Sequence, residues 1–221
     1  MDERYGRNFP ALSEKEWEIL HGKKIFVAGC GGIGGHVIDM LLRLGVGKIA
    51  AADGDDFDRS NLNRQLLSDV RRIGESKAKT ASEHAGRVNP DTEFSCFEGF
   101  VNAENARRLI TGCDAVIDAL DNIASRKLMK QACDAENIPY IYGAISGWTA
   151  QAAISLPNDG LLDILYPADA AATDKSVLSF TPALCAALQV SLCVRLLCGR
   201  APETGKLYYF DLSDMEFMTL L

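Results

Sequence analysis

The sequence predicts an α/β fold in which a mostly parallel, doubly wound sheet gains antiparallel strands toward the C-terminus. Three observations predict it. Short apolar runs alternate with segments of helical period, a glycine-rich loop lies between the first run and the first helix, and the pattern changes after Ser146. Lys24-Ile25-Phe26-Val27-Ala28 is an apolar run with lysine before it and glycines after it, which reads as a buried strand. From Gly35 to Leu44 the residues Val37, Met40, Leu41 and Leu44 follow one helix face, and Gly45 and Gly47 stop it. Ile49 to Asp53 then forms a second strand and completes a β-α-β unit.

Further strands are expected at Glu93 to Phe97, Ala115 to Ala119 and Tyr140 to Ala144, with helices at Lys77 to Val88, Glu104 to Ile110 and Ala124 to Asn137. Ala150 to Leu156 reads as a strand, and Pro157 to Thr181 as an irregular stretch long enough to suspect function. Pro182 suits the first turn of a helix running to about Cys198, with Leu184, Leu188, Leu192 and Leu196 as its buried stripe. Leu207 to Phe210 and Glu216 to Leu220 extend the sheet antiparallel. There is no internal repeat or low-complexity tract.

Composition narrows the function classes. The chain has 221 residues, 48% hydrophobic and 24% charged, which excludes disordered, collagen-like and coiled-coil chains. A net charge of −7 offers no global field for DNA or an anionic membrane, so neither is expected as a partner. Seven cysteines include no C-x-x-C pair and read as reduced thiols. With no signal-like N-terminus and no run of 18 apolar residues, a soluble, cytoplasmic protein is expected.

Gly29-Cys30-Gly31-Gly32-Ile33-Gly34 fits G-x-G-x-x-G, follows a strand and opens a helix, the Rossmann-like arrangement for a nucleotide. Glycine lets the backbone turn sharply and approach a ligand, and the helix end behind it presents unpaired N–H groups. Asp53, at the end of the second strand, is placed to accept hydrogen bonds from ribose hydroxyls. A dinucleotide would satisfy these features too. The next segment, Asp53-Gly54-Asp55-Asp56-Phe57-Asp58-Arg59-Ser60-Asn61-Leu62-Asn63-Arg64-Gln65, sets acids, an amide and arginines past the strand end, and Lys77 opens a later helix. Such cations suit a triphosphate, whose cleavage at phosphorus generates a pyrophosphate that must be neutralised. Asp118-Ala119-Leu120-Asp121-Asn122 ends another strand with carboxylates that are hard ligands for Mg²⁺. Singly, Arg64 and Lys77 also read as solvated surface charge, and Asp121 as a helix N-cap.

With these residues in view, the chain resembles the ThiF/MoeB/HesA family, prokaryotic relatives of ubiquitin-activating enzymes, from about Arg4 to Leu212. Ser60-Asn61-Leu62-Asn63-Arg64-Gln65 is similar to the family's S-N-L-x-R-Q. The resemblance implies MgATP-dependent adenylation of the C-terminal glycine carboxylate of a small ubiquitin-like sulfur carrier, a protein with a Gly-Gly tail, in thiamine- or molybdopterin-type metabolism. It implies that Gly29, Gly31, Gly32 and Gly34 line the nucleotide site and that Asp53 holds the ribose. It further implies that Asn61, Arg64 and Lys77 contact phosphates and that Asp121 binds Mg²⁺. Arg4-Tyr5-Gly6-Arg7-Asn8 is similar to the family's R-Y-x-R-Q, making Arg7 a phosphate contact to the other subunit of a homodimer. Residues 1–22 are then an arm or helix contributing to that dimer, residues 23–221 a single adenylation domain, and the loop at 157–181 the cover of a tail channel.

The sequence also departs from that family. Neither of its zinc-binding C-x-x-C pairs is present, and the three histidines are scattered, so zinc is not expected. Ser176 to Thr181 lacks the cysteine that some relatives use for acyl or persulfide transfer. Cys185, Cys193 and Cys198 read as small buried hydrophobes, with Cys185 left as the residual nucleophile, and Cys30 as a packing residue. Alternative readings keep the ATP site but change the acceptor to a small-molecule, peptide or tRNA-borne carboxylate, make the chain a non-catalytic nucleotide-binding subunit, or make it an NAD-dependent oxidoreductase.

Overall fold

The computed structural model describes residues 3–167, 176–200 and 203–221. One eight-stranded sheet runs through it. Its strands are β1 (Lys24–Ala28), β2 (Lys48–Asp53), β3 (Glu93–Glu98), β4 (Ala115–Asp118), β5 (Tyr140–Ser146), β6 (Thr149–Ser155), β7 (Leu207–Asp211) and β8 (Glu216–Leu220), in the spatial order β3-β2-β1-β4-β5-β6-β7-β8. The first five in that order pair in parallel, and β6, β7 and β8 are added antiparallel. The order reverses between β1 and β4, which opens a crevice at the strands' C-terminal ends, where sheets of this kind take ligands.

Alternation along β1 builds two cores. Ile25 and Val27 face a cluster with α2 (Gly32–Leu44), α3 (Lys77–Val88) and α7 (Phe180–Leu197), through Val37, Leu41, Ala81, Cys185 and Val190. Phe26 and Ala28 face the opposite cluster with α4 (Ala106–Ile110), α5 (Ile123–Glu136) and α6 (Leu161–Leu165), through Ile110, Met129, Cys133 and Leu162. Strands covered on both faces need an apolar residue at nearly every position, which explains the unbroken runs in β1 and β4.

Two expectations are corrected. The first helix begins at Gly32, not Gly35, with Gly31 as its N-cap, so the glycine loop is partly helical. The stretch 157–181 is not wholly irregular, because Leu161 and Leu162 are buried in α6 and α7 already starts at Phe180. The part of that loop at 168–175 lies outside the described residues. Although α7 has the length and apolar composition to cross a bilayer, half of it is buried, with Cys185, Ala186 and Gln189 in the core.

The N-terminal segment folds onto its own chain. Ser13 closes a capping box with Glu16 at the start of α1 (Glu14–His21), and the Tyr5 ring packs against Trp17 at 5.2 Å. Asn89, just past α3, donates to the Tyr5 hydroxyl at 2.8 Å. Arg7 is exposed on the preceding 3-10 turn, Glu3–Asn8.

Candidate active site

The crevice between β1 and β4 is lined first by the glycine loop. Gly29 has φ +109°, and a Cβ there would meet the Ala119 carbonyl oxygen at 2.7 Å, so only glycine lets the loop turn beside the end of β4. Gly34 serves close packing, since a Cβ on it would lie 1.8 Å from the Gly29 carbonyl oxygen. Gly31 and Gly32 sit at the N-terminus of α2, where no side chain caps the helix. Its free N–H groups and positive dipole end form a cradle for an anion.

The acid of β2 is joined to that loop. Asp53 accepts hydrogen bonds from the backbone N–H of Cys30 at 2.7 Å and of Asp55 at 2.8 Å. Burial pushes its carboxyl upward despite those two donors. Two N–H donors leave carboxylate lone pairs over for a ribose hydroxyl.

Beyond β2, the chain folds back so that Phe57 N–H bonds the Glu75 carbonyl and Lys77 N–H the Asp55 carbonyl. Lys77 is therefore not a solvated surface charge: it is 6% exposed, and its Nζ lies 3.0 Å from Asp55. An ammonium carries three donors, so this pair leaves capacity for a phosphate oxygen. Asn61 is buried, and its amide oxygen accepts the Asp58 N–H in a reciprocal cap of the 3-10 turn Arg59–Asn61. Arg64 is half-buried. Its stem passes the α2 start, with Cγ 3.8 Å from a Cβ position on Gly32, and its guanidinium holds the Ser60 carbonyl at 2.7 Å and Asn63 at 2.9 Å. Among the described residues Arg64 makes no ion pair.

On the other wall, Asp121 is exposed past the end of β4. The N-cap reading fails for it, because Asn122 caps α5 by accepting from Ser125 N–H. Asp121 contacts only the Asn122 amide, at 3.2 Å, among the hydrogen bonds of the described residues. No group of three or more metal-ligating side chains occurs among the described residues. A single carboxylate still fits Mg²⁺, which keeps water and phosphate oxygens as its remaining ligands.

Three contributors have no role assigned to them from the sequence, although Asp55 and Gln65 stand in the stretch quoted there. Asp55 is the counter-ion that seats Lys77. Gln65, buried beside Gly31, could have been suspected as an amide followed directly by Leu66-Leu67. Arg126, buried on α5, bonds Asp118 and the carbonyls of Leu120 and Gly143, and so braces the segment that carries Asp121. Cys30 enters the site through its backbone N–H, which bonds Asp53. Cys185 is fully buried, with its thiol pushed up to about 12 by burial.

Comparison with known proteins supplies the lineage of this constellation. The ThiF family description matches residues 5–221. The chain belongs to the ThiF family. Its homologues are E1-like adenylyltransferases. The SAMP-activating enzyme E1 of Haloferax volcanii is 32% identical over 211 residues, covering 91% of this chain and 77% of that protein. The probable adenylyltransferase/sulfurtransferase MoeZ of Mycobacterium tuberculosis is 29% identical over 231 residues, covering 98% of this chain and 59% of MoeZ. The ThiF-family chain thus spans little more than half of some relatives. In fold it resembles E. coli MccB solved with ATP, at TM-score 0.84 and 19% identity, over 100% of this chain and 71% of MccB.

Proposed function

We propose that this ThiF-family chain adenylates the C-terminal glycine carboxylate of a small ubiquitin-like sulfur carrier with a Gly-Gly tail, consuming ATP and releasing pyrophosphate in thiamine- or molybdopterin-type sulfur metabolism in the cytoplasm. The observation that carries the proposal is the meeting, in one crevice, of the free α2 N-terminus, Asp53, Lys77 and Arg64.

Attack of a carboxylate on the α-phosphorus brings two anions together, so the barrier is largely electrostatic. The α2 N–H groups receive phosphate oxygens, and Asp53 fixes the ribose. Arg64 and Lys77 screen the approaching charges and the departing pyrophosphate. Arg7, exposed near the N-terminus, reaches the nucleotide of the other subunit in a homodimer. Asp121 holds Mg²⁺, which when bound supplies further charge neutralisation at the phosphates. No general base is needed, because the attacking carboxylate is already ionised at neutral pH.

The names of the relatives support the acceptor class: one activates SAMP, and another carries both adenylyltransferase and sulfurtransferase names. A second reading, a peptide or small-molecule carboxylate as acceptor, draws on the likeness to MccB, solved in complex with N-formylated MccA. Mass spectrometry after incubation with ATP separates the two. An acyl-adenylate on a carrier ending in Gly-Gly, absent when the tail is removed, supports the first reading, and formation only on short peptides replaces it with the second.

A further inference from the structure

Cys30, the second residue of the glycine loop, and Cys96, within β3, place their thiols 3.7 Å apart, and both are free. They reach each other across β2. Cys96 is the Cα partner of Ala51 on β2, and Ala51, Cys30 and Cys96 belong to one core cluster on the α2 and α3 side of the sheet. An alanine on the strand between them is short enough for two longer side chains to meet over it. Cys30 is fully buried, whereas Cys96 is only partly so. The hydrogen bond shared with Cys96, together with burial, holds the Cys30 thiol well above the usual range, so the more open Cys96 meets an oxidant first.

We propose that Cys30 and Cys96 are a reversible dithiol–disulfide modification site, closed by peroxides and opened by thiol reductants, and that closing it draws the glycine loop toward β3 and weakens nucleotide binding. The coupling to binding rests on the nucleotide reading given above; the modification site does not. Bond formation brings the sulfurs from 3.7 Å to about 2.05 Å. The loop has no slack to absorb this locally, because Cys30 N–H is tied to Asp53, Gly31 caps α2, and Gly34 packs on the Gly29 carbonyl. Hydrogen peroxide takes an electron pair from the Cys96 sulfur, giving a sulfenic acid and water. The Cys30 sulfur then attacks it, and the Cys30 proton leaves with the hydroxide as a second water. Two thiols and one peroxide thus give one disulfide and two waters, and a dithiol reverses the bond by exchange.

The test treats the reduced wild type and Cys96→Ser briefly with hydrogen peroxide, maps peptides without reduction, and titrates MgATP calorimetrically before treatment, after it, and after dithiothreitol. Circular dichroism melts are the folding control. The expected result is a peptide linking Cys30 to Cys96 in the wild type and MgATP affinity weakened about tenfold, restored by dithiothreitol. Cys96→Ser should bind MgATP like the reduced wild type throughout. No linked peptide overturns the modification site. A linked peptide with unchanged MgATP affinity, or an equal loss in treated Cys96→Ser, overturns its coupling to the loop. Reduced wild type that binds no MgATP overturns the nucleotide reading and that coupling with it, while the peptide map still decides the modification site. If Cys96→Ser is unfolded, Cys96→Ala takes its place, and if both are, the wild-type map and its reversal by dithiothreitol decide.

Discussion

The carboxylate of Asp53 and the backbone N–H of Cys30 meet at 2.7 Å, which ties the end of β2 to the middle of the glycine loop. One acid thereby shapes the loop, and burial pushes its carboxyl upward; in the proposed site the same carboxylate holds the ribose. A group with a raised folded-state pKa takes up its proton at higher pH than an ordinary aspartate. Adenosine affinity is therefore expected to fall on acidification beginning above the ordinary aspartate value of 3.8, and Asp53→Asn should flatten that limb. Adenosine titrations across pH check it. A pH profile shared by wild type and variant would remove Asp53 from the site.

Arg64 makes its hydrogen bonds to the nearby Ser60 and Asn63 and none to the core. Arg64→Ala should lower pyrophosphate exchange about 100-fold or more while leaving the melting temperature within a few degrees of wild type. Exchange kinetics and a thermal melt on the same preparation read both halves. Exchange at the wild-type rate would contradict the assigned role.

Gly34 offers the opposite separation. A Cβ there would lie 1.8 Å from the Gly29 carbonyl oxygen, which is backbone and cannot swing aside. Gly34→Ala should cost about 3 kcal/mol or more and lower nucleotide affinity with it, because β1 and α2 must move apart. Chemical denaturation measures the loss, and a neutral result would mean the loop is looser than its geometry.

Asp39 on α2 pairs with Arg43 at 2.8 Å and with His84 of α3 at 2.9 Å. Burial works against its charge, but His84 and Arg43 overcome it and hold the carboxyl at about 2, below the ordinary 3.8. A depressed carboxylate adds stability that is fully present above the unfolded value and is lost as pH falls through the folded one. The melting-temperature gap between wild type and Asp39→Asn should thus be full at pH 7 and shrink between about pH 4 and pH 2. A gap independent of pH would mean the ion pairs contribute nothing.

Cys185 is buried on the sheet-facing side of α7, and its thiol lies 3.5 Å from the Gln151 carbonyl and 3.8 Å from that of Ala144. With its pKa at about 12, it is almost wholly protonated at neutral pH. Cys185→Ser should retain adenylation, and no thiol-labile adduct with the acceptor should map to this residue. Peptide mapping after trapping would show one if Cys185 carries the acyl group.

Much of this was legible in the residues because the signals are local. Gly29 to Gly34 and Asp53 mark a strand, a turn and the next strand's end, each set by its own neighbours. The start of α2 was misread because Gly32, Gly34 and Gly35 suppress helix propensity, and packing against β1 overrides it. The segment α6 was missed because five residues are too few to show a period. The choice between Asp121 and Asn122 as the cap cannot be made from two adjacent cap-forming residues, and only the backbone angles decide it. The burial of Lys77 against Asp55, and of Gln65 against Gly31, depends on where the chain returns after β2, which no spacing records.

ATP–pyrophosphate exchange tests the central claim most directly. The wild-type chain, given MgATP, labelled pyrophosphate and a ubiquitin-like carrier ending in Gly-Gly, should incorporate label into ATP. It should not do so when the carrier lacks its terminal glycines. No exchange with any carboxylate acceptor, under conditions where MgATP binds, would contradict adenylation and leave the crevice a nucleotide-binding site alone.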